Sequence, residues 1–113
     1  MICRLTPDLR IVGVNDAYAW RVGMPLRDLD GIAMSDFVPQ SVLDMILADF
    51  KLLSPDNPVV VRVHESTDGE DGSVWEEWIC AGRFDGDGRL VEIDTFGRNI
   101  TEARRSEIRF REA

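Results

Sequence analysis

Cysteine and histidine are scarce in this sequence: Cys3, Cys80 and His64 are the only ones among its 113 residues. The two cysteines lie too far apart for a Cys-x-x-Cys redox or zinc motif. We interpret both as buried small hydrophobic residues rather than redox switches, and we expect no metal site. A single histidine without an evident orienting group also gives no nucleophile-and-base pair, so the domain itself is expected to be non-catalytic.

Basic residues and long apolar runs are also few. Thirteen Lys and Arg residues stand against 21 Asp and Glu residues, which gives a net charge of −8 and a pI near 4.5. This balance argues against binding to nucleic acid or to an anionic membrane surface. The longest apolar runs have four residues, far below the roughly 20 that span a bilayer. We therefore expect a cytoplasmic domain without direct membrane insertion, although a parent protein could be membrane-anchored.

The residues that are present indicate one folded domain. With 44% hydrophobic residues, the chain can bury a core of its own. Two β-favouring runs on either side of Pro7 predict a hairpin over residues 2–14. Asn15 or Asp16 can cap a short helix, which Gly23 can end in a left-handed conformation. Only one-turn helices are expected in the proline- and glycine-punctuated segment that follows.

The longest predicted helix covers residues 41–53, where Ser41 opens a Ser-x-x-acid capping pattern. Its apolar residues recur at helical spacing and form one face: Leu43, Ile46, Leu47, Phe50 and Leu53. The period then changes to two. Valines at 59, 61 and 63 alternate with Arg62 and His64, which predicts a half-buried strand with His64 on the sheet surface. A polar, acidic loop is predicted over Glu65–Ser73.

Two further strands are predicted on either side of a type I turn that ends in a left-handed Gly88. The simplest register places Trp78 opposite Phe96 and Glu76 opposite Arg98. One sheet face then carries small and aliphatic residues for the core, and the other face carries an apolar patch on the outside. A charged helix is expected from Thr101 to Ala113.

Short motifs in this order resemble those of the PAS family, the small sensor domain of signalling proteins. They are Asn15-Asp16-Ala17, Leu29-Asp30-Gly31, Phe37-Val38-Pro39, Trp75-Glu76-Glu77-Trp78, the turn Phe84–Gly88 and the segment Gly97–Glu102. The resemblance implies an α+β fold with a five-stranded antiparallel sheet, short helices and one longer helix on one face, and a C-terminal exit helix. It places a PAS sensor domain over residues 1–100 and the start of a signalling or linker helix over residues 101–113.

The resemblance also implies a function. PAS domains act as sensory and signal-transfer modules of larger regulatory proteins, such as sensor histidine kinases or diguanylate cyclases, and the output domain would follow at the C-terminus. A small molecule would bind between the inner sheet face and the helices. The candidate pocket residues are Tyr18, Met34, Phe37, Ile46, Phe50, Ile79, Ala81, Ile93 and Thr95. The same residues can instead fill a solid core, and the chain is then a ligand-free dimerisation or transducer module.

Signal coupling is expected where the last strand meets the exit helix. The residues concerned are Arg98, Asn99, Ile100, Thr101 and Glu102. The family usually has Asp-Ile-Thr where this chain has Asn99-Ile100-Thr101. Asparagine can still cap a helix but lacks the negative charge, so we expect a weaker or differently arranged connection at this point.

No cofactor is predicted, although an unknown small molecule remains an expected ligand. The reactive-cysteine motif of covalent flavin photosensors is missing from the sequence, and the long helix has no histidine to ligate haem. A homodimer is expected, with Trp78, Phe84 and Phe96 as candidate contacts on the sheet face. The remaining alternative is a small α+β enzyme, which needs a buried carboxylate facing the pocket. Asp49 is the nearest candidate, but it lies off the apolar face of its helix.

Overall fold

The computed structural model describes residues 1–69 and 72–112. In chain order the elements are β1 (Ile2–Leu5), β2 (Ile11–Val14), α1 (Asp16–Val22), α2 (Leu26–Leu29), a 3-10 turn (Met34–Asp36), α3 (Gln40–Phe50), β3 (Val59–Gly69), β4 (Gly72–Phe84), β5 (Leu90–Asn99) and α4 (Thr101–Glu112). The strands form one antiparallel sheet in the order β2-β1-β5-β4-β3, and α1 to α3 cover one of its faces. The predicted α+β architecture is confirmed.

The N-terminal elements form where the sequence predicts them. β1 and β2 pair as a hairpin. Asn15 precedes α1, and its Oδ1 accepts hydrogen bonds from the backbone N–H groups of Tyr18 (3.1 Å) and Ile2 (2.9 Å). Gly23 ends the helix at a φ of 75°, a left-handed conformation that glycine adopts without steric cost. Asn15 therefore caps α1 and ties it to β1.

Helix α3 begins one residue earlier than predicted, and its predicted capping box does not form. Pro39 precedes the first helical residue, and no side chain caps this end. Proline is tolerated at the start of a helix, because the N–H that it lacks would have no partner there. The helix can therefore begin directly after Pro39, which places Ser41 inside the first turn. The predicted apolar face is present, since Leu43, Phe50 and, just beyond the helix, Leu53 are buried.

The turn between β4 and β5 has the predicted form. Gly88 adopts a left-handed φ of 80°, and the backbone N–H of Asp85 donates to the carbonyl of Arg89 over 2.9 Å. Asp85 Oδ1 also accepts a hydrogen bond from the N–H of Arg89 over 3.0 Å. These contacts set Asp85 opposite Arg89, as the sequence predicts.

The predicted register of β4 on β5 is wrong beyond the first pair. Phe84 pairs with Leu90 as expected, but the next pair is formed after one additional residue, Val91, in β5. A β-bulge of this kind shifts the pairing of everything that follows by one residue. Trp78 consequently lies opposite Gly97 and not opposite Phe96.

The bulge changes which side chains share a sheet face. Ile79 pairs with Phe96, and both lie with Ala81 on the outer face. The predictions that Ile79 and Ala81 face the core are therefore wrong. Trp78 and Phe84 pack against the buried core instead of joining an outer patch with Phe96. A one-residue shift has this effect because side chains alternate between faces along a strand.

Strand β3 also has its faces opposite to the prediction. Val61 pairs with Ile79 and is 56% exposed, and the two neighbouring valines of the alternating pattern are exposed as well. Arg62 and His64 pair with inner-face residues of β4 and so point beneath the sheet. The strand itself runs on to Gly69, through part of the predicted acidic loop. Residues 70 and 71 of that loop lie outside the described residues.

The core lies between the inner sheet face and the helices. Its fully buried side chains come from β1, β2, α2 and β5: Cys3, Leu5, Ile11, Leu29 and Ile93. Among the residues that the structure describes, no helix is long and apolar enough to span a bilayer.

Candidate functional site

A cavity of about 490 Å³ lies between the inner sheet face, α1 and α3. Apolar side chains supply most of its wall: Cys3, Leu5, Val22, Met34, Phe37, Val38, Val42, Met45, Ile46, Trp78 and Cys80. Five of the predicted pocket residues line it: Tyr18, Met34, Phe37, Ile46 and Thr95. Phe50 and Ile93 are buried in the adjacent packed core. Ile79 and Ala81 lie on the opposite sheet face.

The deepest polar groups of the cavity are already hydrogen-bonded to each other. The Thr95 hydroxyl donates to the carbonyl of Cys3 over 2.7 Å, and the Tyr18 hydroxyl is hydrogen-bonded to the Cys3 thiol. Burial raises the pKa of the Cys3 thiol to about 11 and that of Cys80 to about 11. Burial also raises the pKa of Tyr18. All three groups therefore stay protonated and uncharged at neutral pH.

An ion pair joins α3 to β3 at the polar end of the cavity. Arg62 Nε donates to Asp49 Oδ2 over 2.6 Å, and Arg62 Nη2 donates to Asp49 Oδ1. Asp49 is only 4% exposed, whereas the Arg62 side chain is 42% exposed. The hydrogen bond and charge of Asp49 hold the pKa of Arg62 above its ordinary value. Asp49, which the sequence places off the apolar face of α3, is therefore nevertheless buried and lines the cavity.

A second ion pair joins α1 to β4. Arg21 Nε donates to Glu76 Oε2 over 3.0 Å, and Arg21 Nη2 donates to Oε1 over 3.4 Å. Glu76 is 5% exposed. The sequence predicts Glu76 opposite Arg98, but Arg98 donates to the neighbouring Glu77 over 2.9 Å on the outer face. The bulge at Val91 causes this difference, because it turns Glu76 inward relative to Arg98.

His64 lies at the same polar end. It lines the cavity, is partly exposed, and pairs in register with Glu76. Arg62 lies two residues away on the same strand face. No hydrogen bond or ion pair of the His64 ring is found within residues 1–69 and 72–112. The predicted position of His64 on the sheet surface is wrong, because β3 turns its valine face to the outside.

Two buried carboxylates line this cavity. Asp49 and Glu76 are the two buried carboxylates of the described residues. Each accepts hydrogen bonds from one guanidinium at both of its oxygens. The two ion pairs therefore form the charged part of the wall of an otherwise mainly apolar cavity.

The junction between β5 and α4 is built around Trp75. The backbone N–H of Trp75 donates to Thr101 Oγ1 over 2.9 Å, and the N–H of Ile100 donates to the Trp75 carbonyl over 2.9 Å. Arg104 lies over the indole, 4.4 Å from the ring centroid. Asn99 Oδ1 accepts a hydrogen bond from the N–H of Thr101 over 2.9 Å. Asn99 thus supports the start of α4 through a neutral hydrogen bond.

The outer sheet face carries a row of apolar side chains that crosses four strands. Ile2, Phe96, Ile79 and Val61 are register partners in β1, β5, β4 and β3. Phe96 is 43% exposed, and Ile2 and Val61 are also exposed. We call these four residues the outer apolar row. Of the three residues predicted for a sheet-face contact, only Phe96 belongs to it.

Comparison with known proteins gives one family. Residues 1–105 match the family model described as PAS fold. A sensory box sensor histidine kinase from Vibrio cholerae is similar at 16% identity and a TM-score of 0.70, covering 88% of this chain and 80% of that chain. The PAS domain of a Colwellia psychrerythraea protein is similar at 15% identity and a TM-score of 0.67, covering 89% of this chain and 86% of that chain. A domain of an HTR-like protein from Haloarcula marismortui is similar at 21% identity and a TM-score of 0.60, covering 88% of this chain and 96% of that chain. No curated protein matches.

Proposed function

Since this chain belongs to the PAS family and is a PAS sensory domain similar to those of histidine kinases and HTR-like proteins, we propose that it senses a small molecule in its cavity and signals through α4. The observation that carries this proposal is the cavity of about 490 Å³, with a mainly apolar wall that also includes two ion pairs and His64. Protein sites for small ligands commonly have this size and this division of surface. No bound cofactor is required by the proposal.

Strand β4 offers a short path from the cavity to α4. Glu76 and Trp78 line the cavity, and Trp75, the residue before Glu76, holds the start of α4 by hydrogen bonds through Thr101 and Ile100. A ligand that shifts the Arg21 and Glu76 pair moves the peptide that anchors the exit helix. Signal coupling by residues 98–102 would then act through their contacts with β4.

The parent protein is proposed to carry an output domain on the C-terminal side of α4. A sensor histidine kinase is the output type that the similar Vibrio cholerae protein supports. A diguanylate cyclase is the other type proposed, and it has no such support among the similar structures described above.

Native mass spectrometry of freshly purified protein tests ligand sensing. We expect a retained non-covalent mass in the wild type and its loss in Ile46→Trp, which fills the cavity. Leu52→Trp is the matched control, because Leu52 is exposed and does not line the cavity. If the wild type retains no mass and binds no small apolar probe in titration calorimetry, the chain is the ligand-free transducer.

A second candidate function is homodimerisation through the outer apolar row. Four apolar register partners across a sheet, three of them exposed, are unusual for a surface that stays in water. Analytical ultracentrifugation of the wild type and Phe96→Glu tests this function. A dimer in the wild type and a monomer in the variant are expected. An equal monomer mass for both proteins rules the contact out.

A further inference from the structure

We infer that the ligand of the cavity is an amphipathic monocarboxylic acid, whose carboxylate binds Arg62 and His64 and whose apolar body lies in the chamber beneath the sheet. This inference rests on the proposed sensing function and names the class of ligand for that site. It follows from which polar atoms of the cavity are already occupied, which are available, and what charge they carry together.

Most polar groups of the cavity have partners within the protein. The Thr95 hydroxyl donates to the Cys3 carbonyl, and Tyr18 is hydrogen-bonded to the Cys3 thiol. Both oxygens of Asp49 accept from Arg62, and both oxygens of Glu76 accept from Arg21. A ligand that donates hydrogen bonds would have to compete with guanidinium groups for these carboxylates. The cavity is therefore poorly suited to a cationic or donor-rich ligand.

Two polar side chains of the cavity still have hydrogen-bond donors available. Arg62 uses Nε and Nη2 on Asp49, and its Nη1 has no partner within the described residues. The His64 ring has none there either. Both side chains leave the same face of β3, and their Cα atoms lie roughly 7 Å apart as expected for residues i and i+2 of a strand. Two donors at this spacing suit one carboxylate, which accepts from both sides.

The charge at the polar end favours a single negative charge on the ligand. Arg21 and Arg62 are balanced by Glu76 and Asp49, so the four groups sum to zero. His64 is the remaining titratable group at this end. It pairs in register with Glu76 on β4 and lines the same cavity as Arg62 on its own strand, Arg21 on α1 and Asp49 on α3. Arg62 and His64 can offset a monoanion by hydrogen bonds, whereas a dianion such as a phosphate monoester would bring a second charge that nothing at this end balances.

The rest of the cavity indicates the apolar body. The chamber wall beside Arg62 and His64 includes Trp78, Met45 and Ile46. Trp78 packs edge-on against Tyr18 with ring centroids 6.2 Å apart, which holds the indole in place. An alkyl or aryl group of a carboxylic acid can displace water from these surfaces and gain hydrophobic free energy. Fully hydrophilic acids would gain none.

The test compares three probes that share one alkyl chain: octanoate, octanol and octylamine, each titrated calorimetrically into the wild-type protein. We expect octanoate to bind at least about tenfold more tightly than octanol, because charge-assisted hydrogen bonds are involved. Octylamine is expected to bind most weakly. Loss of octanoate binding in Ile46→Trp would place the probe in the cavity.

Variants then assign the carboxylate contact. His64→Leu and the double variant Asp49→Asn/Arg62→Gln should each lower octanoate affinity to the level of octanol and leave octanol affinity unchanged. The double variant avoids a buried unpaired charge, so that it keeps the fold. Arg98→Gln is the matched control, since Arg98 binds Glu77 on the outer face.

The outcomes separate the two proposals. Equal affinity of the wild type for octanoate and octanol overturns the carboxylate inference and leaves ligand sensing intact. An octanoate preference that survives in both variants also overturns it. Failure of all three probes to bind the wild type overturns the inference together with the cavity function on which it rests.

Discussion

Replacing Gly97 by alanine should destabilise the domain through one contact. A Cβ atom built at Gly97 lies 2.6 Å from two atoms of the Trp78 indole, about 0.8 Å inside the shortest ordinary van der Waals contact of 3.4 Å. Trp78 has little room to move, because its ring also packs edge-on against Tyr18. Overpacking of this kind costs about 1–3 kcal/mol. Urea unfolding of Gly97→Ala should show an unfolding free energy lower than that of the wild type by an amount in that range.

A double-mutant cycle isolates the cause of this loss. In a Trp78→Leu background the indole is absent, so Gly97→Ala should lower the unfolding free energy by less than about 0.5 kcal/mol. It can even raise it, because a glycine inside a strand weakens that strand. Gly86→Ala is the control substitution, because nothing lies within 4 Å of a Cβ at that turn position. If Gly97→Ala is as stable as the wild type, or costs equally in both backgrounds, the packing of Trp78 across Gly97 is not as described.

Three further predictions concern the buried polar groups and the exit helix. Arg62→Ala should lower the unfolding free energy by about 3 kcal/mol, because it leaves a buried charge unpaired; Asp49→Asn, which leaves an exposed arginine, should cost clearly less, and equal losses in urea titrations would contradict this. Burial raises the folded-state pKa of the Cys80 thiol from 9.0 to about 11. Its contribution to the unfolding free energy is therefore full below pH 9 and falls by about 3 kcal/mol as the pH rises towards 11. In urea titrations between pH 8 and 11, the unfolding free energy of Cys80→Ala should fall less than that of the wild type. Thr101→Val should cost about 1 kcal/mol by leaving the Trp75 N–H unpaired and should speed amide exchange in α4; unchanged exchange would mean that this hydrogen bond does not hold the helix.

Local sequence signals predict the local structure well. Asn15 and Gly23 bound α1 as expected, and Gly88 takes the left-handed position of its turn. The helical spacing of apolar residues predicts the buried face of α3. Each of these features depends on residues within a few positions of one another, so the sequence contains the information directly.

Features set by distant contacts could not be predicted in this way. The alternation in β3 separates the two faces correctly, but hydrophobicity selects the wrong face as the inner one. Val61 and its neighbours form part of an exposed apolar surface, and Arg62 is drawn inward by Asp49, 13 residues earlier. Arg21 and Glu76 are 55 residues apart and meet only in the folded chain. An arginine at an alternating position of a strand, with an acidic residue off the apolar face of a nearby helix, is the signal that points to such a pair.

The bulge at Val91 explains both register differences between the predicted and the observed sheet. Without it, Glu76 would share a face with Arg98 and Trp78 would share one with Phe96, as the simplest register requires. The additional residue in β5 places Gly97 opposite Trp78, which gives the indole room beneath the sheet. The same shift puts Ile79 beside Phe96 on the outside. One inserted residue therefore places Trp78 in the wall of the cavity and forms the outer apolar row, so the proposed sensing site and the proposed dimer surface depend on the same local feature of β5.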